Sequence, residues 1–192
     1  MPPDASADAR TQRERMLAGE LYVADDPELV EARLRAAALV KRYNDSDPAD
    51  PAAQVRLLRE LVGVLGEETV LRPPFYCDYG SHLELGARGF ANFGLVALDV
   101  APIRVGEDFQ MGPYVQLLTA THPLEPEPRR AKWESGEPIT IAGNVWLGGG
   151  VIVCPGVSIG ADTVVGAGAV VTRDLPAGVF AAGVPARVVR SL

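Results

Sequence analysis

Residues 141–175 read IAGNVWLGGGVIVCPGVSIGADTVVGAGAVVTRDL, and an aliphatic residue returns every six positions as Ile141, Leu147, Val153, Ile159, Val165 and Val171. The residue after each is small or compact (Ala142, Gly148, Cys154, Gly160, Gly166, Thr172). Four places after each stands Val145, Val151, Val157, Thr163, Ala169 or Leu175. A helix needs apolar positions 3.6 residues apart and does not tolerate this density of glycine. Short strands joined by tight corners need one inward aliphatic and small turn residues at fixed offsets. A fixed short period is the mark of a solenoid, so the stretch predicts a β-helix of hexapeptide repeats.

Working backwards, weaker hexads run from Leu85 to Ala91 and Ala97, then, after two extra residues, from Val105 to Met111 and Leu117. The pattern stops at Thr121-His122. Pro123, Pro126, Pro128 and Pro138 then punctuate an excursion, residues 123–138, that reads as a stretch barred from sheet. A long loop inside a repeat array is more often functional than accidental. Upstream, helix signals take over. Thr11 starts a short helix ending at Gly19, Asp26-Pro27-Glu28 caps a second that breaks at Asn44-Asp45, and Asp50-Pro51 starts a third with Val55, Leu58, Leu61, Val62 and Leu65 on one stripe. Residues 1 to about 10 read as a loose tail. The expected organisation is a tail and helical cap over 1–66, a β-helix over 67–183 and a C-terminal segment over 184–192.

Composition limits what this scaffold can do. The chain has 192 residues, 47% of them hydrophobic, which is enough for a continuous core. A net charge of −7 repels nucleic acid and acidic membrane surfaces, so neither is an expected partner and an anionic ligand must find a local basic pocket. Cys77 and Cys154 are too few for a disulfide framework and read as small packed hydrophobes in a reducing cytoplasm. The polar N-terminus has no apolar stretch of the export type, so the chain reads as soluble and cytoplasmic. Two histidines in all, His82 and His122, are too few for a three-histidine zinc centre, so no metal is expected.

The runs Pro74-Phe75-Tyr76-Cys77-Asp78-Tyr79-Gly80, Ala91-Asn92-Phe93, Leu98-Asp99-Val100-Ala101-Pro102-Ile103, Thr119-Ala120-Thr121-His122-Pro123, Asn144-Val145-Trp146-Leu147-Gly148 and Gly166-Ala167-Gly168-Ala169-Val170-Val171-Thr172 resemble the maltose and galactoside O-acetyltransferases of the hexapeptide-repeat acyltransferases. The cap sequence Met16-Leu17-Ala18-Gly19-Glu20-Leu21-Tyr22 is similar too. The resemblance implies a mainly β fold, a left-handed parallel β-helix with three hexads per turn. It also implies a homotrimer with active sites between subunits, and acetyl-CoA as acetyl donor to a sugar hydroxyl.

Such a transfer needs a base for the hydroxyl proton, donors for the oxyanion, and two substrates held in line. Histidine suits the base, since its ordinary pKa leaves the neutral ring available near pH 7. His122, at the base of the excursion, matches the family's catalytic position; His82 reads as a surface or spacer residue. Arg33, Asp78 and Asn92 match acceptor-pocket positions, although Asn92 equally suits a strand-to-turn corner. Asp99 either contacts sugar, orients His122 or accepts corner N–H groups. Glu134 lies where the family's loop reaches over the acceptor. On the donor side, Gly149, Ala167 and Thr172 match positions along the pantetheine arm, and Trp146 suits a channel wall or core filler. Arg173, Arg187 and Arg190 match phosphate contacts in a C-terminal stretch free of acids after Asp174. Ala142-Gly143, Ala169 and Arg173 depart from the family's usual residues, and His82 and residues 124–137 bear on which acceptor fits. An antibiotic hydroxyl or serine as acceptor, and a non-catalytic trimeric scaffold, are the rival readings.

Overall fold

The computed structural model describes residues 9–192; the start of the expected tail, through residue 8, lies outside the described residues. Each hexad folds as a strand of two to four residues, and the strands stack into three parallel faces. The first face holds Val64–Leu65, Leu83–Leu85, Ile103–Val105, Ile139–Ile141 and Ser158–Ile159. The second holds Val70–Leu71, Phe90–Ala91, Gln110–Met111, Trp146–Leu147, Val164–Val165 and Val179–Ala182. The third holds Phe75–Cys77, Leu95–Leu98, Gln116–Leu118, Ile152–Val153 and Val170–Val171. The result is a β-solenoid of about six turns.

Register keeps like beside like. Leu85, Val105, Ile141 and Ile159 stack inside the first face, Ala91, Met111, Leu147, Val165 and Ala181 inside the second, and Ala97, Leu117, Val153 and Val171 inside the third. None of these is more than 5% exposed. The aliphatic period is therefore the core. The corner from first to second face places one residue per turn in the left-handed region: Glu68, Arg88, Asp108, Asn144 and Asp162 at φ between 55° and 59°, then Gly178 at 66°. Asn and Asp tolerate that conformation better than most side chains. Nearby, a Cβ on Gly86 would meet the Gly106 carbonyl at 2.4 Å, which is why the turns can stack only on small residues there.

The first strand, Val64–Leu65, lies within the stretch read as helical cap and pairs with Leu83–Leu85, so the solenoid is under way before residue 67. The cap helices are α1 (Gln12–Leu17), α2 (Pro27–Asn44) and α3 (Pro51–Leu61), with Thr11, Asp26 and Asp50 accepting the first-turn N–H groups. They close the solenoid's open end. Leu39, Val40, Tyr43, Leu58 and Leu61 continue its core, and the Asn44 amide bonds both backbone groups of Phe75, at 2.8 and 3.0 Å. That side chain stands in for the neighbouring strand that the outermost strand of the third face lacks. The other end is closed by Arg187–Ser191, which turns back antiparallel along Val179–Ala182.

The excursion corrects the expectation that its prolines exclude sheet. After a short helix α4 (Pro126–Arg130), the proline-free Trp133–Gly136 forms a strand between Ala120–Thr121 and Tyr22–Val23, antiparallel to both. The excursion is thus tied to the N-terminal segment as well as to the solenoid. No helix among the described residues is long and apolar enough to cross a membrane.

Candidate active site

In the first two turns the corner from third to first face is wider than the others: two extra residues separate Cys77 from Leu85 and Ala97 from Val105. Asp99 fills that room. Its carboxylate is fully buried and accepts from the backbone N–H groups of Asp78 (3.1 Å), Tyr79 (2.9 Å) and His82 (3.1 Å). This decides among the three readings of Asp99: it builds the corner that carries Asp78 and is not placed to touch a sugar. His82 belongs to the same construction. Its Nδ1 lies 2.7 Å from the Asp99 carbonyl, which can only accept, so Nδ1 carries the hydrogen. The spacer reading of His82 becomes a specific corner contact.

Asp78 projects from this corner half-buried. Burial, then the negative charges of Asp99 and Glu134, push its carboxyl up to about 6, with Arg33 pulling the other way. Arg33, on α2, also lies 4.0 Å from Asp25. Asp78, Glu134 and Arg33 are therefore within electrostatic reach of one another.

His122 follows directly on Ala120–Thr121. Its Nδ1 lies 3.4 Å from the Trp133 carbonyl, a group that can only accept, so the tautomer with its hydrogen on Nδ1 points that hydrogen at the carbonyl and leaves the Nε2 lone pair free. Nε2 stands 3.8 Å from Glu134, whose other carboxylate oxygen accepts from the Tyr22 hydroxyl. The imidazole is half-exposed and opens on a pocket lined by Ala24, Asp25, Arg129, Lys132 and Glu134. The Arg129 guanidinium donates to the carbonyls of Pro123 and Leu124, fixing the turn just after His122. Tyr22 and Arg129 were not among the expected site residues. Tyr22 had a signal, since it closes the cap motif; Arg129 had none, because only the folded excursion brings it back to Pro123.

The donor-side candidates divide. Trp146 is 55% exposed, which rules out core filler, and stands in register with Val164, then Phe180, then Arg190 on the outside of the second face. A bulge at Val189 sets Arg190 opposite Phe180 and Arg187 opposite Ala182, so both arginines fall on that outer side. Gly149 and Ala167 stack at the corner from second to third face, where the Gly168 N–H donates to Gly149 and a Cβ on Gly148 would strike Ala167 at 2.5 Å. Thr172 and Arg173 are exposed but lie at the corner from third to first face, the His122 edge. Asn92 lies at the second-to-third corner, its amide oxygen accepting from the Phe93 N–H at 2.9 Å. The corner reading of Asn92 is realised, on an edge different from that of Asp78.

A hexad solenoid with a helical cap, a loop-borne histidine and a row of small and cationic residues running to its end defines a hexapeptide-repeat acyltransferase. Residues 15–66 match the maltose acetyltransferase hexapeptide capping motif, and residues 138–173 match the bacterial transferase hexapeptide with its six repeats. Nodulation protein L of Rhizobium meliloti (strain 1021) is 52% identical over 180 residues, 93% of this chain and 98% of that protein. Among solved structures, a maltose O-acetyltransferase from Clostridium difficile 630 superposes with a TM-score of 0.95 at 38% identity, covering 96% of this chain and 99% of that one. A hexapeptide-repeat acetyltransferase of Vibrio cholerae O1 biovar eltor, complexed with acetyl coenzyme A, gives 0.88 at 39% identity, covering 95% and 99%.

The chain belongs to the maltose and galactoside O-acetyltransferase family of left-handed β-helix acyltransferases. It is an acetyl-CoA-dependent O-acetyltransferase.

Proposed function

We propose that the chain moves the acetyl group of acetyl-CoA directly to a sugar hydroxyl, with His122 as general base, in clefts between the subunits of a homotrimer. The observation that carries this reading is the placement of the His122 ring: Nδ1 is turned to the Trp133 carbonyl, and Nε2 faces a pocket that also holds Glu134. Nε2 takes the acceptor hydroxyl proton as its oxygen attacks the thioester carbonyl. The tetrahedral intermediate collapses, the C–S bond breaks, and the imidazolium returns the proton to the leaving sulfur. A positioned base of this kind contributes roughly 10²- to 10⁴-fold.

Asp78, Arg33 and Glu134 read the acceptor. A carboxyl held near 6 beside an arginine offers both a donor and acceptors to vicinal hydroxyls, and a site built for such hydrogen bonds rejects apolar analogues. The division of the site supports a trimer. His122, Asp78, Thr172 and Arg173 occupy one edge of a single chain, while Asn92, Gly149 and Ala167 occupy another. Setting one copy's His122 edge against a neighbour's Asn92 edge unites base, acceptor pocket and donor channel, and a three-sided solenoid closes such pairings at three copies. The acetyl-CoA phosphates then meet Arg187 and Arg190, with Trp146 walling the channel.

Thiol release from acetyl-CoA, measured with a panel of sugars, antibiotics and serine, tests the acceptor class. With the best sugar, His122→Ala lowers turnover about 10²- to 10⁴-fold while acetyl-CoA binding and the trimeric mass by light scattering persist. Near-normal turnover in that variant, or an active monomer, overturns the reading.

A further inference from the structure

The N-terminal segment reaches the site through one side chain. Tyr22 is fully buried among Met16, Leu29, Tyr79 and Val100, and its hydroxyl donates to one carboxylate oxygen of Glu134, a residue 112 positions away. The backbone enforces the meeting: Tyr22 stands directly opposite Glu134 and Val23 opposite Trp133 in the antiparallel pair, so the two side chains share a face. On the other side of the same strand, Ser135 stands opposite Thr121, the residue before His122. Burial and the adjoining carboxylate hold the phenol far above its ordinary pKa, so it is a permanent donor. The second oxygen of Glu134 is then left 3.8 Å from Nε2 of His122, too far for a hydrogen bond and close enough for a charge to be felt. That gap leaves the Nε2 lone pair to the acceptor hydroxyl.

We propose that Tyr22 is a positioning residue of the transfer reaction, aiming the Glu134 carboxylate at His122 so that the carboxylate steadies the imidazolium formed when the acceptor proton is taken. The proposal rests on His122 being the base. Tyr22 itself touches neither substrate. Its hydroxyl fixes one rotamer of Glu134, and the charge appears opposite Glu134 only in the transition state. The effect therefore falls on kcat and not on donor binding.

The test is a double-mutant cycle in steady-state kinetics with saturating sugar. Tyr22→Phe keeps the ring that fills the apolar cluster and removes the hydroxyl alone. It should lower kcat about tenfold, leave the KM for acetyl-CoA within twofold, and cause no further fall when introduced into Glu134→Gln. Unchanged kcat in Tyr22→Phe, or an equal fall in both backgrounds, overturns the proposal. Loss of acetyl-CoA binding together with turnover assigns Tyr22 to the fold and overturns it as well. His122→Ala is measured alongside: if it keeps turnover, the base assignment fails, whereas a dead His122→Ala with a normal Tyr22→Phe sinks only the role of Tyr22.

Discussion

Replacing Asp78 by Asn should make the protein more stable and the enzyme worse. The carboxyl is driven from an ordinary 3.8 to about 6, first by burial, then by Asp99 and Glu134, against the pull of Arg33. That rise corresponds to about 3 kcal/mol at about 1.36 kcal/mol per pH unit, and partial exposure of the side chain reduces it through solvent screening to about 1–2 kcal/mol. The sign is fixed by linkage. An acid whose folded pKa is raised gives its full stability below the unfolded value near 4 and loses it as pH climbs through 6. The wild type should therefore lose about 1–2 kcal/mol between pH 4 and pH 6.5 through this group, and Asp78→Asn should lack that component. Urea unfolding of both proteins at pH 4, 5, 6 and 7.5 measures it. The curves should coincide at the acid end, with the variant ahead at pH 7.5 while its KM for the sugar rises. A variant less stable than wild type at pH 7.5, or a difference that does not change with pH, refutes the argument that the site stores unfavourable charge.

Asp99→Ala removes the acceptor of three corner N–H groups and should cost about 3–5 kcal/mol, since the buried Tyr79 donor left unpaired costs about 1–3 and the part-buried Asp78 and His82 donors about 1 each; urea midpoints check it, and a loss under 1 kcal/mol counts against the corner role. Changing Arg187 and Arg190 together to Ala should raise the KM for acetyl-CoA, more at low than at high salt, with the sugar KM and saturated turnover nearly unchanged. Kinetics with each substrate varied at two ionic strengths decide it, and an effect on the sugar alone contradicts a donor lane along the second face.

The core was legible because each hexad buries one strand residue and the residue four places on, and Ile141 through Val171 with Val145 through Leu175 supply both at a fixed period. The cap was legible at its helix starts, where Thr11, Asp26 and Asp50 carry their own hydrogen-bond chemistry. What escaped reading depends on distance in the chain. Trp133–Gly136 is a strand only because Tyr22–Val23 and Ala120–Thr121 flank it, and no local pattern announces such a partner. Asp99 looks the same in sequence whether it faces sugar or three N–H groups; only the two-residue excess at its corner hints at the difference. The Val189 bulge, which sets Arg187 and Arg190 on one side of a strand, likewise answers to pairing and not to propensity.

The stacking of turns also makes the solenoid a ruler. Each turn advances by one strand spacing, about 4.8 Å, and the row from Gln110 through Trp146, Val164 and Phe180 to Arg190 counts four such steps between the level of the His122 loop and the arginines at the far end. Duplicating eighteen residues, one turn's worth in the regular part, would leave every inward stack intact and lengthen that lane by a single notch. An insertion of another length within a strand would break the register, whereas the two-residue corner excess and the 123–138 excursion are absorbed at corners outside the stacks. Selection can thus adjust the reach of the row only in whole storeys, so a donor of fixed arm length running, as proposed, from the His122 loop to Arg187 and Arg190 would hold the number of turns between them constant even where the residues lining them drift.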